Sequence, residues 1–318
     1  MDYDLIVIGS GIAGATVAYI AGHDYHQRVL VLEKEDHVAG LAFDERDERT
    51  GILVQRYGCH FIHTDNAYVY RFLKGIADFH PFQLTAETVI NGKRISIPFH
   101  YGAIDSLYTP KDAARLKSLI ADEYRYERYV PLMDMLRSEK REISAFAKRL
   151  MKEHFIPLEA ARRGISEEKL DGRVLQGNYF QLGYSDGCYA ERYQMLPEGG
   201  FTALIEKMLS DPHITLKMGA NAIEHIRIEK NSGATGHVLY FDGQKIEVPV
   251  VYTGGLDELF NYRYGILPYY RMNVEYTVEN VRSLSSPNVN IPRDRKGFSK
   301  TDFSYFDHTY SGGKTVVS

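Results

Sequence analysis

The sequence feature that most restricts the fold of this 318-residue chain is a glycine-rich turn that follows a short apolar run. Residues 4–8 read Asp-Leu-Ile-Val-Ile, which is typical of a buried parallel strand. Gly9, Ser10, Gly11 and Gly14 then fall in a Gly-x-Gly-x-x-Gly motif. In that motif the first glycine permits a tight turn, the second lets backbone approach a pyrophosphate, and the third lets helix and strand pack closely. A helix predicted over 15–21 and a strand predicted over 28–32 complete one βαβ unit.

An acidic residue follows at the distance expected for dinucleotide binding. Glu33 ends the second predicted strand, roughly 20 residues beyond Gly14, where a carboxylate can hold a ribose hydroxyl. FAD and NAD both fit such a unit. The next loop, with Lys34 at its start and Gly40 at its end, resembles the second pyrophosphate loop of FAD-binding proteins related to amine oxidases. We therefore expect FAD, held by the two glycine loops and Glu33.

Composition excludes several other classes of protein. The formal net charge is −4, from 38 basic and 42 acidic residues, so nucleic acid is not an expected partner. The two cysteines, Cys59 and Cys188, suggest neither a disulfide framework nor a metal site. No apolar run approaches the roughly 18 residues that a membrane span needs, and no signal peptide is visible. A cytoplasmic location is the expectation.

Local signals suggest how the chain is divided. Asn91-Gly92 and Asp242-Gly243 predict two β-hairpins, and Phe201–Leu209 predicts a short helix. A helix predicted from Pro110 to Tyr124 and helix formers over 133–151 predict an all-helical insertion, and the tail from Asn273 to Val317 alternates as a sheet does. The predicted divisions are FAD-binding parts at 1–85 and 196–265, sheet segments at 86–103 and 173–195, a helical domain at 104–172 and an antiparallel sheet domain at 266–318.

Four further stretches occur in one order across nearly the whole chain. They are Tyr57-Gly-Cys-His-Phe-Ile-His-Thr64, Tyr189–Leu209, Val251–Asp257 continuing to Gly265, and Phe306-Asp307 leading to Thr315-Val-Val317. Together they resemble the UDP-galactopyranose mutase family. The Pro-x-Gly-Gly piece at 197–200 is shared with amine oxidases and is not diagnostic alone.

The resemblance implies both a fold and a reaction. The fold is α/β: a Rossmann-like FAD-binding domain with a helical insertion domain and a twisted antiparallel sheet domain. The reaction interconverts the pyranose and furanose forms of a nucleotide sugar such as UDP-galactose, with N5 of reduced FAD attacking the anomeric carbon and no net redox change. The implied setting is cell-wall or surface polysaccharide biosynthesis. The sequence leaves the oligomeric state open, with a homodimer as one candidate.

The resemblance also implies site residues. His60 lies beside the flavin in the implied arrangement, as a catalytic residue that responds to the redox state. Lys300 stands where the family has a mobile-loop arginine that clamps the diphosphate, and it is a candidate for both catalysis and binding. The other implied contacts are Tyr189, Arg192 and Asn290 for the substrate and Thr253 and Gly254 for the cofactor.

Some positions depart from the family pattern. The chain contains no Trp, although the family stacks one on the uridine, and residues 155–164 keep only a glycine and basic residues there. Residues 177–182 replace an arginine-containing family segment. The chain stops at Ser318, which suggests a fragment or a shortened relative. Two alternatives therefore stay open: an amine-oxidase-like FAD oxidoreductase, and a non-catalytic flavin-binding relative.

Overall fold

The structure is a computed structural model that describes residues 2–230, 237–269, 271–294 and 297–318. Its internal contacts divide the chain into two compact units, each assembled from three segments. The first unit comprises Met1–Asp47, Leu53–Pro81 and Tyr193–Val274, and the second comprises Glu48–Ile52, Phe82–Arg192 and Glu275–Ser318.

The regular elements are numbered in chain order. The described residues form twenty strands, β1 to β20: Leu5–Ile8, Val29–Leu32, Asp44–Arg46, Leu53–Gln55, Ile62–Thr64, Phe79–Pro81, Ala86–Ile90, Lys93–Ile97, Tyr129–Pro131, Tyr179–Gln181, Tyr193–Pro197, Ile214–Lys217, Ile226–Lys230, His237–Phe241, Gln244–Lys245, Val250–Tyr252, Thr277–Glu279, Asn288–Asn290, Ser299–Thr301 and Thr315–Val317. They also form ten α-helices, α1 to α10: Ile12–Tyr19, Ala67–Ile76, Tyr101–Leu107, Pro110–Glu123, Leu132–Arg137, Arg141–Leu150, Ile156–Arg163, Gly200–Leu209, Ala222–His225 and Leu256–Leu259. None of these described helices has the length and apolar content that crossing a bilayer requires.

A parallel sheet forms the centre of the first unit. Its strand order is β12-β2-β1-β16, and every pairing is parallel. All residues of β1 and β2 are buried, as expected for parallel strands covered on both faces. Val7 and Val31 pack with α1 and α8 on one face, whereas Ile6 and Leu30 belong to a separate core on the other. The predicted Rossmann-like α/β fold is confirmed.

Both predicted hairpins are present. In the first unit β14 and β15 pair through Asp242 and Gly243, whose φ angles are 49° and 77°. In the second unit β7 and β8 pair through Asn91 and Gly92, with φ of 51° and 75°. Positive φ at both central residues matches the twist of the flanking strands. The β7–β8 hairpin belongs to a mixed sheet with the order β19-β18-β7-β8, in which β18 runs parallel to β7.

The helical part of the second unit differs from prediction in two places. It is not all helical, because β9 pairs antiparallel with β10. The helix expected across 133–151 is broken between α5 and α6, where Ser138 is extended and its hydroxyl accepts the Lys140 N–H. This local hydrogen bond competes with the helical one. Phe146 and Phe180 are fully buried in the core beneath these elements.

The tail is less regular than predicted. Within 273–317 the described residues form only four three-residue strands, β17 to β20. β17 pairs with β20, while β18 joins the mixed sheet between β7 and β19. Because Pro287 and Pro292 flank β18 and lack an N–H, longer ladders cannot run through them.

Candidate functional site

The turn between β1 and α1 has the shape that its glycines predict. Gly9 has a φ of +98°, and a Cβ there would lie 2.3 Å from the Thr253 hydroxyl oxygen. A Cβ on Gly14 would lie 2.0 Å from the Gly9 carbonyl oxygen. Side chains at these two positions are therefore excluded by contact with atoms of the same unit.

The second glycine loop lies directly against the first. Gly11 and Ala39 form a parallel bridge, and a Cβ on Gly40 would lie 3.2 Å from Gly11 Cα. Gly11 caps α1 without a side-chain hydrogen bond, so the first N–H groups of the helix stay available to an anion. Backbone N–H groups and the helix dipole favour a pyrophosphate at this position. The first unit thus fits the flavin dinucleotide that its sequence predicts.

Glu33 is fixed at the end of β2 by donors from both loops. Its carboxylate accepts the Ser10 N–H at 2.8 Å, the Ser10 hydroxyl at 2.7 Å and the Glu35 N–H at 3.0 Å. Burial would raise the pKa of Glu33, but these hydrogen bonds outweigh it and the pKa is lowered. Glu33 is therefore ionised and can still accept a ribose hydroxyl through its remaining lone pairs.

The other predicted cofactor residues of the first unit lie at strand ends. Thr253 follows β16, and its N–H and hydroxyl both donate to the Ile8 carbonyl at the end of β1. Gly254 is exposed, and a Cβ there would lie 2.6 Å from the Tyr252 hydroxyl. Lys34 is exposed beyond β2. Thr253 therefore closes the edge of the glycine turn.

His60 has a buried ring nitrogen without a partner. Gln55 binds the His60 backbone on both sides, accepting its N–H and donating to its carbonyl at 2.8 Å. Nε2 of His60 is buried and bonds to none of the described residues. Burial lowers the pKa of His60, although the Leu41 carbonyl and the Asp44 charge oppose that effect. A neutral imidazole with an unused nitrogen suits a neighbouring cofactor group.

Sequence alone does not indicate the buried carboxylate of Asp44. It accepts the Phe201 N–H at 2.7 Å and the Thr202 N–H at 2.9 Å, and so caps α8. A Cβ on Gly200, the first residue of α8, would lie 2.6 Å from this carboxylate. Gly199-Gly200 at the start of α8 is the only sequence signal for this cap. It does not identify Asp44 as the capping residue, because Asp44 is more than 150 residues away in the chain.

The second unit contains a pocket of about 390 Å³. Two of the predicted substrate residues, Tyr189 and Asn290, line it. The complete lining among the described residues is Leu84, Ala86, Ile97, Pro98, Phe99, His154, Phe155, Leu158, Glu159, Arg162, Gly177, Asn178, Tyr179, Cys188, Tyr189 and Asn290. The pocket thus includes parts of both segments that depart from the family pattern.

The lining combines aromatic rings with a few polar groups. Phe155, Tyr179 and Tyr189 offer faces on which a base can stack. Arg162 supplies a cation, which is paired with Glu159 at 2.9 Å. Burial raises the pKa of the Cys188 thiol to about 12, so this cysteine is a poor nucleophile.

Two predicted substrate residues do not line this pocket. Lys300 is exposed on β19 and stands opposite Val289, whereas Asn290 stands opposite Ser299. Because side chains alternate along a strand, Lys300 and Asn290 belong to opposite faces of the sheet. Arg192 is exposed just before β11. His154, by contrast, is absent from the predicted residues; its only sequence signal is a polar side chain within an apolar stripe at 151, 155 and 158.

Sequence comparisons relate the chain to two protein families. The sequence profile of the UDP-galactopyranose mutase family matches residues 161–318, and that of an NAD(P)-binding Rossmann-like domain matches residues 7–76. A UDP-galactopyranose mutase of Mycoplasma pneumoniae is 28% identical over 276 residues, which are 86% of this chain and 67% of the relative. A dTDP-fucopyranose mutase of Escherichia coli is 26% identical over 85% of this chain and 68% of the relative. The chain thus spans about two thirds of these relatives.

Solved structures agree on the fold. A crystal structure of reduced UDP-galactopyranose mutase matches with a TM-score of 0.63 and 15% identity, over 99% of this chain and 73% of that one. A cyclohexylamine oxidase of Brevibacterium oxydans matches with a TM-score of 0.54 and 16% identity, over 100% of this chain and 75% of that one. At such identities the likeness extends to the fold alone.

Proposed function

We propose that this chain, which is similar to UDP-galactopyranose mutases and to a dTDP-fucopyranose mutase, is a flavin-dependent isomerase that interconverts the pyranose and furanose forms of a nucleotide sugar. The observation that carries the proposal is the pocket lined by Tyr189 and Asn290, two residues that lie within the segment matched by the family profile. Relatives named for UDP-galactopyranose and dTDP-fucopyranose indicate a pyrimidine nucleoside diphosphate sugar, and a UDP-galactose-like substrate is our proposal.

The proposed cofactor is FAD, active in its reduced form. Reduced flavin supplies the nucleophile that displaces the nucleoside diphosphate from the anomeric carbon, which leaves no net redox change. The glycine loops at Gly9, Gly11 and Gly40 would hold its pyrophosphate, and Glu33 would accept a ribose hydroxyl. The unused Nε2 of His60 supports the proposal that His60 bonds to the cofactor.

The substrate would be held mainly by the second unit. The Tyr189 hydroxyl is proposed to donate to a phosphate, and the Asn290 amide to contact the nucleotide. Arg162 adds a cation that supports diphosphate binding in the same pocket. A substrate contact by Arg192 and a diphosphate clamp by Lys300 stay predictions. Neither residue lines the pocket.

Conversion of a furanose substrate tests the proposal directly. The purified chain is loaded with FAD, reduced with dithionite and incubated with UDP-galactofuranose, and UDP-galactopyranose is measured by chromatography. We expect conversion with reduced flavin and none with oxidised flavin. Flavin binding without conversion would contradict the proposal, and oxygen-dependent amine oxidation would instead support the oxidoreductase alternative.

Matched tyrosine variants test the pocket. Tyr189→Phe removes a hydroxyl from the lining, so we expect the KM for the nucleotide sugar to rise about tenfold. Tyr184→Phe is the control, because the Tyr184 hydroxyl bonds to Asp105 at 2.9 Å and does not line the pocket. Equal KM values for the two variants would remove Tyr189 from the substrate site.

The setting of the enzyme is also proposed. A role in surface polysaccharide biosynthesis follows from the proposed substrate. The cytoplasmic location and the homodimer stay predictions, to be checked by cell fractionation and by light scattering of the purified protein.

A further inference from the structure

A buried histidine lies in the pocket of the second unit and has no role in the reaction proposed above. His154 lies in the π-helical segment Met151–Phe155 that joins α6 to α7, is only 2% exposed and lines the pocket. Its ring packs edge-to-face against Phe155 and Phe99, with centroids 4.8 and 5.0 Å away. These contacts fix the plane of the imidazole.

The hydrogen bond to Thr88 determines which ring nitrogen carries the proton. His154 Nδ1 lies 2.8 Å from the Thr88 hydroxyl oxygen, and Thr88 is fully buried. This is the one side-chain hydrogen bond that either residue makes within the described part of the chain. A buried hydroxyl that donated to nothing would be costly, so the Thr88 O–H donates to Nδ1. The proton of the neutral ring is then on Nε2.

The ring stays neutral at all physiological pH values. Burial, together with the charge of Arg162, lowers the pKa of His154 to about 3. Nε2 bonds to none of the described residues and is not among the fully enclosed unpartnered atoms. Because His154 lines the pocket, we infer that the Nε2–H is an unused donor available to a ligand there.

A second polar group in the pocket is also unused. Asn290 is 5% exposed, and its amide makes no side-chain hydrogen bond to the described residues. An amide offers one acceptor and two donors, which suits the N3–H and 2-oxo edge of a pyrimidine. A fixed N–H donor beside it suits an oxo group at position 4, where cytosine has an amino group that can only donate.

We propose that His154, through its Nε2–H, is a specificity-determining residue that selects 2,4-dioxopyrimidine nucleotides over cytosine nucleotides. The inference rests on the proposed function, since it takes the pocket as the place where the nucleotide binds. It assigns the discrimination between uracil or thymine and cytosine to a donor whose position Thr88 fixes. A site built to hydrogen-bond one group strongly rejects an analogue that leaves its polar atoms unpaired.

Calorimetric titration of the flavin-loaded full chain with UDP and with CDP tests the inference. We expect wild type to bind UDP at least about tenfold more tightly than CDP. His154→Phe keeps an aromatic ring but removes the donor, so the ratio of the two affinities should fall to near one. His154→Gln keeps an N–H and should retain most of the preference. His23→Phe, at an exposed histidine of the first unit, is the control.

Several outcomes would overturn the inference. Equal affinity of wild type for UDP and CDP would do so, as would an unchanged ratio in a folded, flavin-binding His154→Phe protein. If that variant does not fold, Thr88→Val removes the hydroxyl that fixes the tautomer, and an unchanged ratio there would count equally against it. Sugar interconversion without base preference would defeat this inference alone, whereas base preference without interconversion would defeat only the proposed function.

Discussion

At the scale of single residues, the glycine turn gives the sharpest prediction. Gly14→Ala places a Cβ 2.0 Å from the Gly9 carbonyl, so the turn must shift. We expect the free energy of unfolding to fall by about 3 kcal/mol and FAD binding to be lost. Gly75→Ala is the matched control, because Gly75 lies exposed in α2 with nothing near its would-be Cβ. That variant should gain about 1 kcal/mol and keep FAD, as measured by urea unfolding and flavin absorbance.

The lowered pKa of Glu33 gives a prediction about pH. Because the folded-state pKa lies below the usual value of 4.5, Glu33 stabilises the fold above that pH. This contribution is lost as the pH falls through the folded-state pKa. Glu33→Gln should therefore be less stable than wild type at pH 7, and the difference should shrink in acid. Urea unfolding at pH 7 and at pH 3 checks this, with exposed Glu35→Gln as the control; a pH-independent difference for Glu33→Gln would contradict it.

At the scale of elements, the cap of α8 gives a further prediction. Asp44→Ala leaves the buried Phe201 N–H and the half-buried Thr202 N–H without their acceptor, so we expect the free energy of unfolding to fall by about 3 kcal/mol. Asn66→Ala removes the exposed cap of α2 and should cost only about 1 kcal/mol. Denaturant unfolding of both variants tests the difference. Equal losses would mean that burial adds nothing to the cap of α8.

The elements also show what sequence can and cannot predict. The hairpin at Asn91-Gly92 was predicted from the sequence because two adjacent residues fix the turn. The pairing of β9 with β10 was not, because its partners are about fifty residues apart and neither three-residue strand has a periodic pattern. The cap by Asp44 and the hydrogen bond between Thr88 and His154 could not be predicted from the sequence for the same reason. Each depends on a contact that exists only once the chain has folded.

At the scale of the whole molecule, the two units differ in how far sequence predicts them. The dinucleotide-binding features of the first unit come from one stretch, from Leu5 to Gly40, so motif spacing is enough to indicate them. The pocket of the second unit is lined from six separate stretches between Leu84 and Asn290. The family resemblance indicated Tyr189 and Asn290, but only the folded structure brings them together with His154 and Arg162.

If the two units hold different ligands, hydrogen exchange should separate them. A ligand that binds only the native state lowers the exchange rates of the segments that it stabilises. FAD should therefore protect peptides from 5–16, 33–42 and 251–255, which form the glycine loops and the adjoining strand ends. UDP, added to the flavin-loaded chain, should further protect 84–99, 154–162 and 177–189, which line the pocket. Adding FAD to the Gly14→Ala variant should leave the exchange rates of these first three peptides unchanged. Protection of the 5–16 peptide by UDP, with none at 154–162, would mean that UDP binds at the glycine loops of the first unit and that the pocket of the second unit is not its site.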